Sequence, residues 1–187
     1  MIASDKELII SAQNGDALAF EQLIYRHDKM VLRIAFKFTG DADDAKDIYQ
    51  EVFIKVYNGL AKFQLRSEFS TWLFRITSNT CITFKRKNNK LNHLSLNDET
   101  NLTYFSTYKG QDELSPHNLL ANSEFGRQLN EALNNLSPNQ KMSFLLKHDE
   151  GYKIREIANI MNCKEGTIKK YLFEAVRKLK RQLENIY

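Results

Sequence analysis

Gly166, Lys169, Lys170, Phe173 and Arg177 recur along one face of a helical segment, at about 100° per residue. Cations and an aromatic on one outward face can neutralise phosphates and reach base edges in a DNA major groove. The segment begins near Glu165 and turns Ile168, Leu172, Ala175 and Leu179 the other way. A shorter helix precedes it, with Ile154, Ile157, Ala158 and Met161 at i, i+3, i+4 and i+7. Asn162 stands between them, where helices commonly end in a left-handed residue that Asn tolerates. Gly151 to Arg181 therefore reads as a helix-turn-helix with a basic second helix. A helical hairpin with a solvated face is the plain alternative, but the exposed set lacks that face's usual mix of signs.

A second set lies between Phe69 and Lys87. Leu73, Ile76, Thr80 and Phe84 are spaced for burial, while Trp72, Arg75, Asn79 and Arg86 share another face. Bases that leave a duplex stack on aromatic side chains and are read along their Watson–Crick edges by polar ones. Lys85, Arg86 and Lys87 could hold the phosphates. A single Trp in the core of a helical domain fits the same residues equally well.

The third set belongs to a helix predicted over Ala42–Leu60. Ala45, Ile48, Tyr49, Val52, Phe53 and Val56 make a broad apolar face, and Asp43, Asp47, Gln50 and Ile54 lie opposite. Ile54 is an aliphatic among polar neighbours, which suits a docking patch whose acids select a basic partner. Single exposed hydrophobes are also common. Asp41, Asp43, Asp44, Asp47 and Glu51 raise the question of a magnesium nuclease. No further carboxylate or base converges on them in the sequence, and acids at a helix start explain the cluster more simply. No metal and no cofactor is expected.

These sets need helices to position them, and the chain supplies little else. Its 187 residues contain seven glycines and two prolines, and helical periodicity dominates, so the expected class is all-α. Asp5 is placed to cap a first helix, Gly15-Asp16 breaks it, and a long helix follows from Ala17 to Phe38. Asp41 or Asp43 opens the next, and the last N-terminal helix ends near Lys87. Residues 88–118 read as a linker, with Asn88, Asn89, Asn92, Asn97, Asn101 and Asn118 among Ser, Thr and Gly. The C-terminal domain, 119–187, opens with Phe125, Leu129, Ala132, Leu133 and Leu136 on one face. Ser137-Pro138-Asn139-Gln140 is then a capping box with proline in the first turn. The expectation is two small helical domains, 1–87 and 119–187, on a flexible tether.

Charge follows the same division. Residues 1–90 carry 14 basic and 11 acidic side chains, residues 91–136 carry 2 and 6, and residues 137–187 carry 11 and 6. Two basic blocks around an acidic middle suggest two contacts with one polyanion. Cys81 and Cys163 have no partner at ligand spacing, which disfavours a zinc site or a disulfide framework. No run of 18 apolar residues and no signal-peptide pattern occurs, so a soluble, cytoplasmic protein without membrane insertion is expected.

Taken together, the motifs resemble the extracytoplasmic-function sigma factors of bacterial RNA polymerase, over nearly the whole chain apart from the linker. Asp44-Ala-Lys-Asp47-Ile-Tyr-Gln50-Glu51-Val-Phe53 resembles the family's core-polymerase-binding helix. Phe69-Ser-Thr-Trp72-Leu73-Phe-Arg-Ile76-Thr-Ser-Asn79 resembles the helix that recognises the melted −10 element. Ile154-Arg-Glu156-Ile157-Ala158 and Gly166-Thr167-Ile168-Lys169 resemble the helix-turn-helix that reads the −35 element.

The resemblance implies that Asp47, Gln50, Glu51 and Ile54 meet the clamp helices of the largest polymerase subunit. It implies that Arg66, Ser67 and Glu68, with Asn79, cradle a flipped −10 base, beside Trp72, Arg75, Lys85 and Arg86. Lys164, Gly166, Thr167, Lys169, Lys170, Phe173 and Arg177 would face the −35 duplex, and the linker would thread the polymerase cleft. It further implies a promoter-specificity subunit with no catalytic activity of its own and an anti-sigma factor as partner. Several positions depart from the pattern. Glu174 and Val176 stand where basic residues are frequent, with Glu174 at the edge of the DNA face, placed to repel phosphate or bond a cytosine amine. Lys164 replaces a capping Ser, and Leu65-Arg66 replaces an Arg-Gly pair. The rival reading is a helix-turn-helix regulator that is not a polymerase subunit; it needs neither the Asp47/Gln50 helix nor the Trp72 helix.

Overall fold

The computed structural model describes residues 3–94 and 124–184, and every regular element among them is an α-helix. In chain order these are α1 (Asp5–Gln13), α2 (Ala17–Thr39), α3 (Ala42–Leu60), α4 (Phe69–Leu94), α5 (Glu124–Asn134), α6 (Pro138–His148), α7 (Ile154–Ile160) and α8 (Glu165–Glu184). None is long and apolar enough to cross a membrane.

Local chemistry accounts for most boundaries. Asp16 accepts from the backbone N–H groups of Leu18 and Ala19, and Asp41 from those of Asp43 and Asp44, so each acid caps the helix it precedes. Gly40, at φ +77°, closes α2 in the left-handed conformation that costs glycine nothing. Ser137 and Gln140 form the expected capping box, with Pro138 in the first turn of α6. The turn between α7 and α8 puts Asn162 at φ +50°, as expected.

Two boundaries differ from the sequence expectation. Ser4, not Asp5, caps α1, in a capping box with Glu7. The Asp5 carboxylate instead crosses to α2, where Arg26 and His27 each reach it at 2.8 Å. The second difference is α4, which continues past Lys87 through Asn88, Asn89 and Asn92 to Leu94. Adding a residue to an existing helix is far easier than nucleating one, and the stretch contains no Gly or Pro to stop it. The rest of the linker, 95–118, lies outside the described residues.

Packing supplies the larger surprise. α1 to α4 bury Leu23, Val31, Ile34, Phe38, Ile48, Val52 and Leu73, but the same apolar cluster continues into Met142, Leu146, Ile157, Ile160 and Ile168 of the C-terminal half. A smaller cluster joins Ala132, Leu133 and Leu136 to Ala175 and Leu179, fixing α5 against α8. The two domains are therefore docked, with α6 and α7 against α2 and α4. Phe74 and Tyr152 meet edge-on at 4.9 Å, and Arg33–Glu150 (2.7 Å) and Lys37–Asp149 (3.2 Å) bridge the rim. Periodicity shows that each helix buries a face but not which helix covers it, so the sequence reading had two separate modules.

Candidate nucleic-acid and protein interfaces

The far face of α3 projects Asp47, Gln50, Glu51 and Ile54 outward, and Ile54 is 61% exposed. Ile54 stands on the rim of an open apolar groove of about 430 Å³, which Phe20, Ile24, Tyr49, Gln50, Phe53 and Tyr57 complete. The sequence reading found the rim but missed the other wall. Tyr57 lies three residues beyond Ile54 on the same side of α3, and its ring packs edge-on to Phe20 of α2 at 5.2 Å. Glu51 is partly engaged, pairing with Lys55 at 2.7 Å, and Lys55 also donates to Thr80 of α4. At the start of α3, burial first and then Asp41, Asp47 and Asp43 push the Asp44 carboxyl above its ordinary value.

The segment between α3 and α4 holds Leu65 at φ +54° and presents Arg66, Ser67 and Glu68 to solvent. Trp72 follows in the first turn of α4. It is half-buried, its ring 4.8 Å from Phe63 and 5.7 Å from Phe69. Behind it lies Gly59, where a Cβ would come within 3.1 Å of the indole. Trp72 is thus neither wholly core nor wholly exposed: it packs on Phe63 and Phe69 and keeps part of its surface accessible. Gly59 and Phe63 escaped the sequence reading because their role exists only where α3 meets α4.

Along α4, Asn79 is exposed, but the neighbouring cations are not all available. Arg75 donates to the Asn159 carbonyl of α7 at 2.8 Å, and Arg86 reaches the Asn139 side-chain oxygen of α6 at 3.5 Å. Lys85 is half-buried. The structure groups Trp72, Arg75 and Asn79, whereas Arg86 lies roughly 20 Å along the helix from Trp72.

The basic helix matches its expectation closely. Gly166, Lys169, Lys170, Phe173 and Arg177 are all exposed on α8, and Thr167 is half-buried. Phe173 is 68% exposed, with the Arg177 guanidinium 6.0 Å from its ring centre. Lys164 is exposed, and its backbone carbonyl accepts from Thr167 and Ile168 as the helix begins. Glu174 departs from the expectation of a phosphate-repelling or cytosine-reading group. Its carboxylate turns to α6 and accepts from Gln140 at 2.7 Å, while Lys178 donates to the Gln140 oxygen at 3.2 Å. Gln140 also accepts from the Ser137 backbone N–H, so one buried amide caps α6 and ties it to α8. Such a network sets the angle at which α8 leaves the domain.

Among the described residues no group of three His, Cys, Asp or Glu side chains could hold a metal ion. Cys81 and Cys163 are unpaired thiols, and burial pushes Cys81 up to about 12.

Residues 23–91 match the family model for sigma-70 region 2, and residues 126–179 match that for sigma-70 region 4. The chain is 27% identical over 186 residues to the RNA polymerase sigma-H factor of Pseudomonas aeruginosa, covering 96% of this chain and 94% of that one. It is 30% identical over 173 residues to the ECF RNA polymerase sigma-E factor of Escherichia coli, covering 92% and 90%. Among solved structures, the sigma factor RpoE of Bartonella quintana, in complex with the anti-sigma factor NepR, superposes with a TM-score of 0.64 at 23% identity, over 88% of this chain and 96% of that one. CnrH, in complex with the cytosolic domain of CnrY, gives 0.64 at 19% identity, over 97% of both. Those two structures share the fold; the sequence likeness, reaching about nine-tenths of both chains, means that this chain belongs to the extracytoplasmic-function family of RNA polymerase sigma factors.

Proposed function

We propose that this chain binds core RNA polymerase through the α3 groove, reads a −35 element with α8, and traps an unpaired −10 base beside Trp72. The observation that carries the reading is Ile54, 61% exposed on the lip of an apolar groove with Asp47, Gln50 and Glu51 beside it. A helix-turn-helix regulator needs no such surface, so the groove separates the two readings. Clamp helices of the largest polymerase subunit, offering a basic edge and an apolar side chain, are the occupant this chemistry selects.

The mechanism follows from the two DNA faces. Lys169, Lys170 and Arg177 neutralise phosphates and approach bases in the duplex, which sets position and register. Stacking on Trp72 supplies about 1–3 kcal/mol per base, enough to offset much of the few kcal/mol that unpairing costs. Arg66, Ser67, Glu68 and Asn79, all exposed, are the polar side chains that would read such a base in this scheme. The protein does no covalent chemistry in this scheme; it shifts the balance between closed and melted promoter. Its place is the cytoplasm, with polymerase and DNA, and an anti-sigma factor is the expected regulator, as NepR is for RpoE.

Transcription in vitro over a genomic template pool, with purified core polymerase with or without this chain, tests the reading. Chain-dependent transcripts from a restricted promoter set are expected. Absence of affinity for core polymerase would overturn it.

A further inference from the structure

The flank of α8 that lies between its buried stripe and its DNA-facing cations is tied to α6 by hydrogen bonds. At about 100° per residue, Tyr171, Glu174 and Lys178 line that flank, and all three are half-buried. The first turn of α6 meets them. Asn139 donates to the Tyr171 hydroxyl at 3.2 Å, and Gln140, 6% exposed, donates to the Glu174 carboxylate at 2.7 Å. Lys178 donates to the Gln140 oxygen at 3.2 Å, and the Ser137 backbone N–H reaches the same oxygen at 3.1 Å.

Only one orientation of the Gln140 amide fits these partners. Its oxygen faces a cation and a backbone donor, while its N–H faces an anion. A flipped amide would set donor against donor at one end and oxygen against carboxylate at the other. Both ends are charge-assisted, so the bonds are stronger than neutral ones. Lys170, on the DNA-facing side, lies 4.0 Å from the other Glu174 oxygen and is 72% exposed, a pair of little weight by comparison. Ile168, Ala175 and Leu179 hold α8 against its neighbours, but apolar contact is non-directional, whereas hydrogen bonds fix a direction.

We propose that Gln140 and Glu174 are positioning residues for −35 recognition, because the Lys178–Gln140–Glu174 chain locks the roll of α8 about its own axis. The proposal rests on the promoter reading above. A side chain ends about 5–6 Å from the axis of its helix, so a roll of about 15° moves it by roughly 1.5 Å. Direct bonds to base edges fail at that displacement. Lysine contacts to phosphates survive it, since the ammonium is a point charge on a flexible stem, and such contacts carry no sequence information. Loosening the chain therefore costs sequence discrimination before it costs affinity. Glu174 determines specificity without touching a base.

The test uses holoenzyme assembled from core polymerase and the full chain. Its DNA is a promoter recovered from the genomic pool and randomised over the −35 element, with bound and input molecules sequenced. In the unchanged chain a wrong base at a read position should cost on the order of tenfold in affinity. Glu174→Ala should cut that penalty about threefold at every read position, while affinity for mismatched DNA holds or rises because one negative charge has gone. Glu174→Gln keeps an acceptor for Gln140 and should keep the preferences. Gln140→Glu keeps the α6 cap but sets two carboxylates together, and should flatten the preferences as Glu174→Ala does. Combining Gln140→Glu with Glu174→Gln reverses the donor, restores the bond and should restore the preferences. Should Glu174→Ala fail to fold in a thermal melt, the comparison of Gln140→Glu with the double variant decides alone. Equal gains in affinity for every sequence in both Glu174→Ala and Glu174→Gln mean simple charge repulsion and overturn the proposal. A loss confined to one base position means a direct contact and overturns it too, as do unaltered preferences in every variant. If the unchanged chain shows no preference over the randomised stretch, the promoter reading itself fails and takes this role with it.

Discussion

Gly59→Ala separates the setting of Trp72 from the stability of the fold. The added Cβ would stand 3.1 Å from one ring carbon of Trp72 and 3.4 Å from another. Carbon contacts are comfortable at about 3.5–4.0 Å, so the ring must give by a few tenths of an ångström. Phe63 and Phe69 support the indole elsewhere and its remaining edge is accessible, so the ring moves outward rather than into the core. Overpacking costs about 1–3 kcal/mol, towards the low end at a site that can yield. Replacing a helical Gly returns up to about 1 kcal/mol. The two nearly cancel, and Tm should stay within about 4 °C of the parent. Trp72 is the sole tryptophan, so intrinsic emission reports this ring alone. A red shift and stronger acrylamide quenching are expected. Losing about 1 kcal/mol of base stacking would slow promoter opening about fivefold, read by permanganate reactivity of unpaired thymines, with core-polymerase affinity unchanged. Unchanged emission together with unchanged opening would refute the reasoning.

Other perturbations probe the remaining surfaces. Ile54→Asp places a carboxylate on the groove rim and should cut affinity for core polymerase at least tenfold in a pull-down or anisotropy titration, with Tm unchanged. Lys169→Ala and Arg177→Ala should each weaken −35 binding and reduce the slope of log affinity against log salt by about 1. Asn162→Ala should cost about 1 kcal/mol in urea unfolding because its φ of +50° is left-handed, whereas Asn162→Gly should be near neutral. At Asp5, burial raises the carboxyl pKa, but hydrogen bonds and charge from Arg26 and His27 outweigh it and hold the group below its ordinary 3.8. A depressed carboxylate contributes stability above its unfolded value and loses it as pH falls through the folded one. Acid unfolding below about pH 4 should therefore be shallower in Asp5→Asn.

Most of the fold was legible because its signals are local. Caps at Asp16, Asp41 and Ser137, the left-handed Asn162 and the stripes of α3 and α8 depend on residues within a turn or two of one another. The outward cations of α8 and the isolated Ile54 follow from the same 100° arithmetic. Where local evidence was ambiguous, as at Asp5 beside Ser4 and along the Asn-rich end of α4, the reading missed by one residue or by two turns.

What the sequence determined alone was which side chains each helix turns outward, since helical periodicity is a property of a single segment. Tertiary structure decided which outward side chains remain available. Glu174 is engaged by Gln140, Arg75 by Asn159, and Lys141 is buried under Phe38, Cys81 and Lys85. Each of those pairings joins residues from different helices. Burial and desolvation arise when separate elements meet, and no spacing within one helix encodes its neighbour.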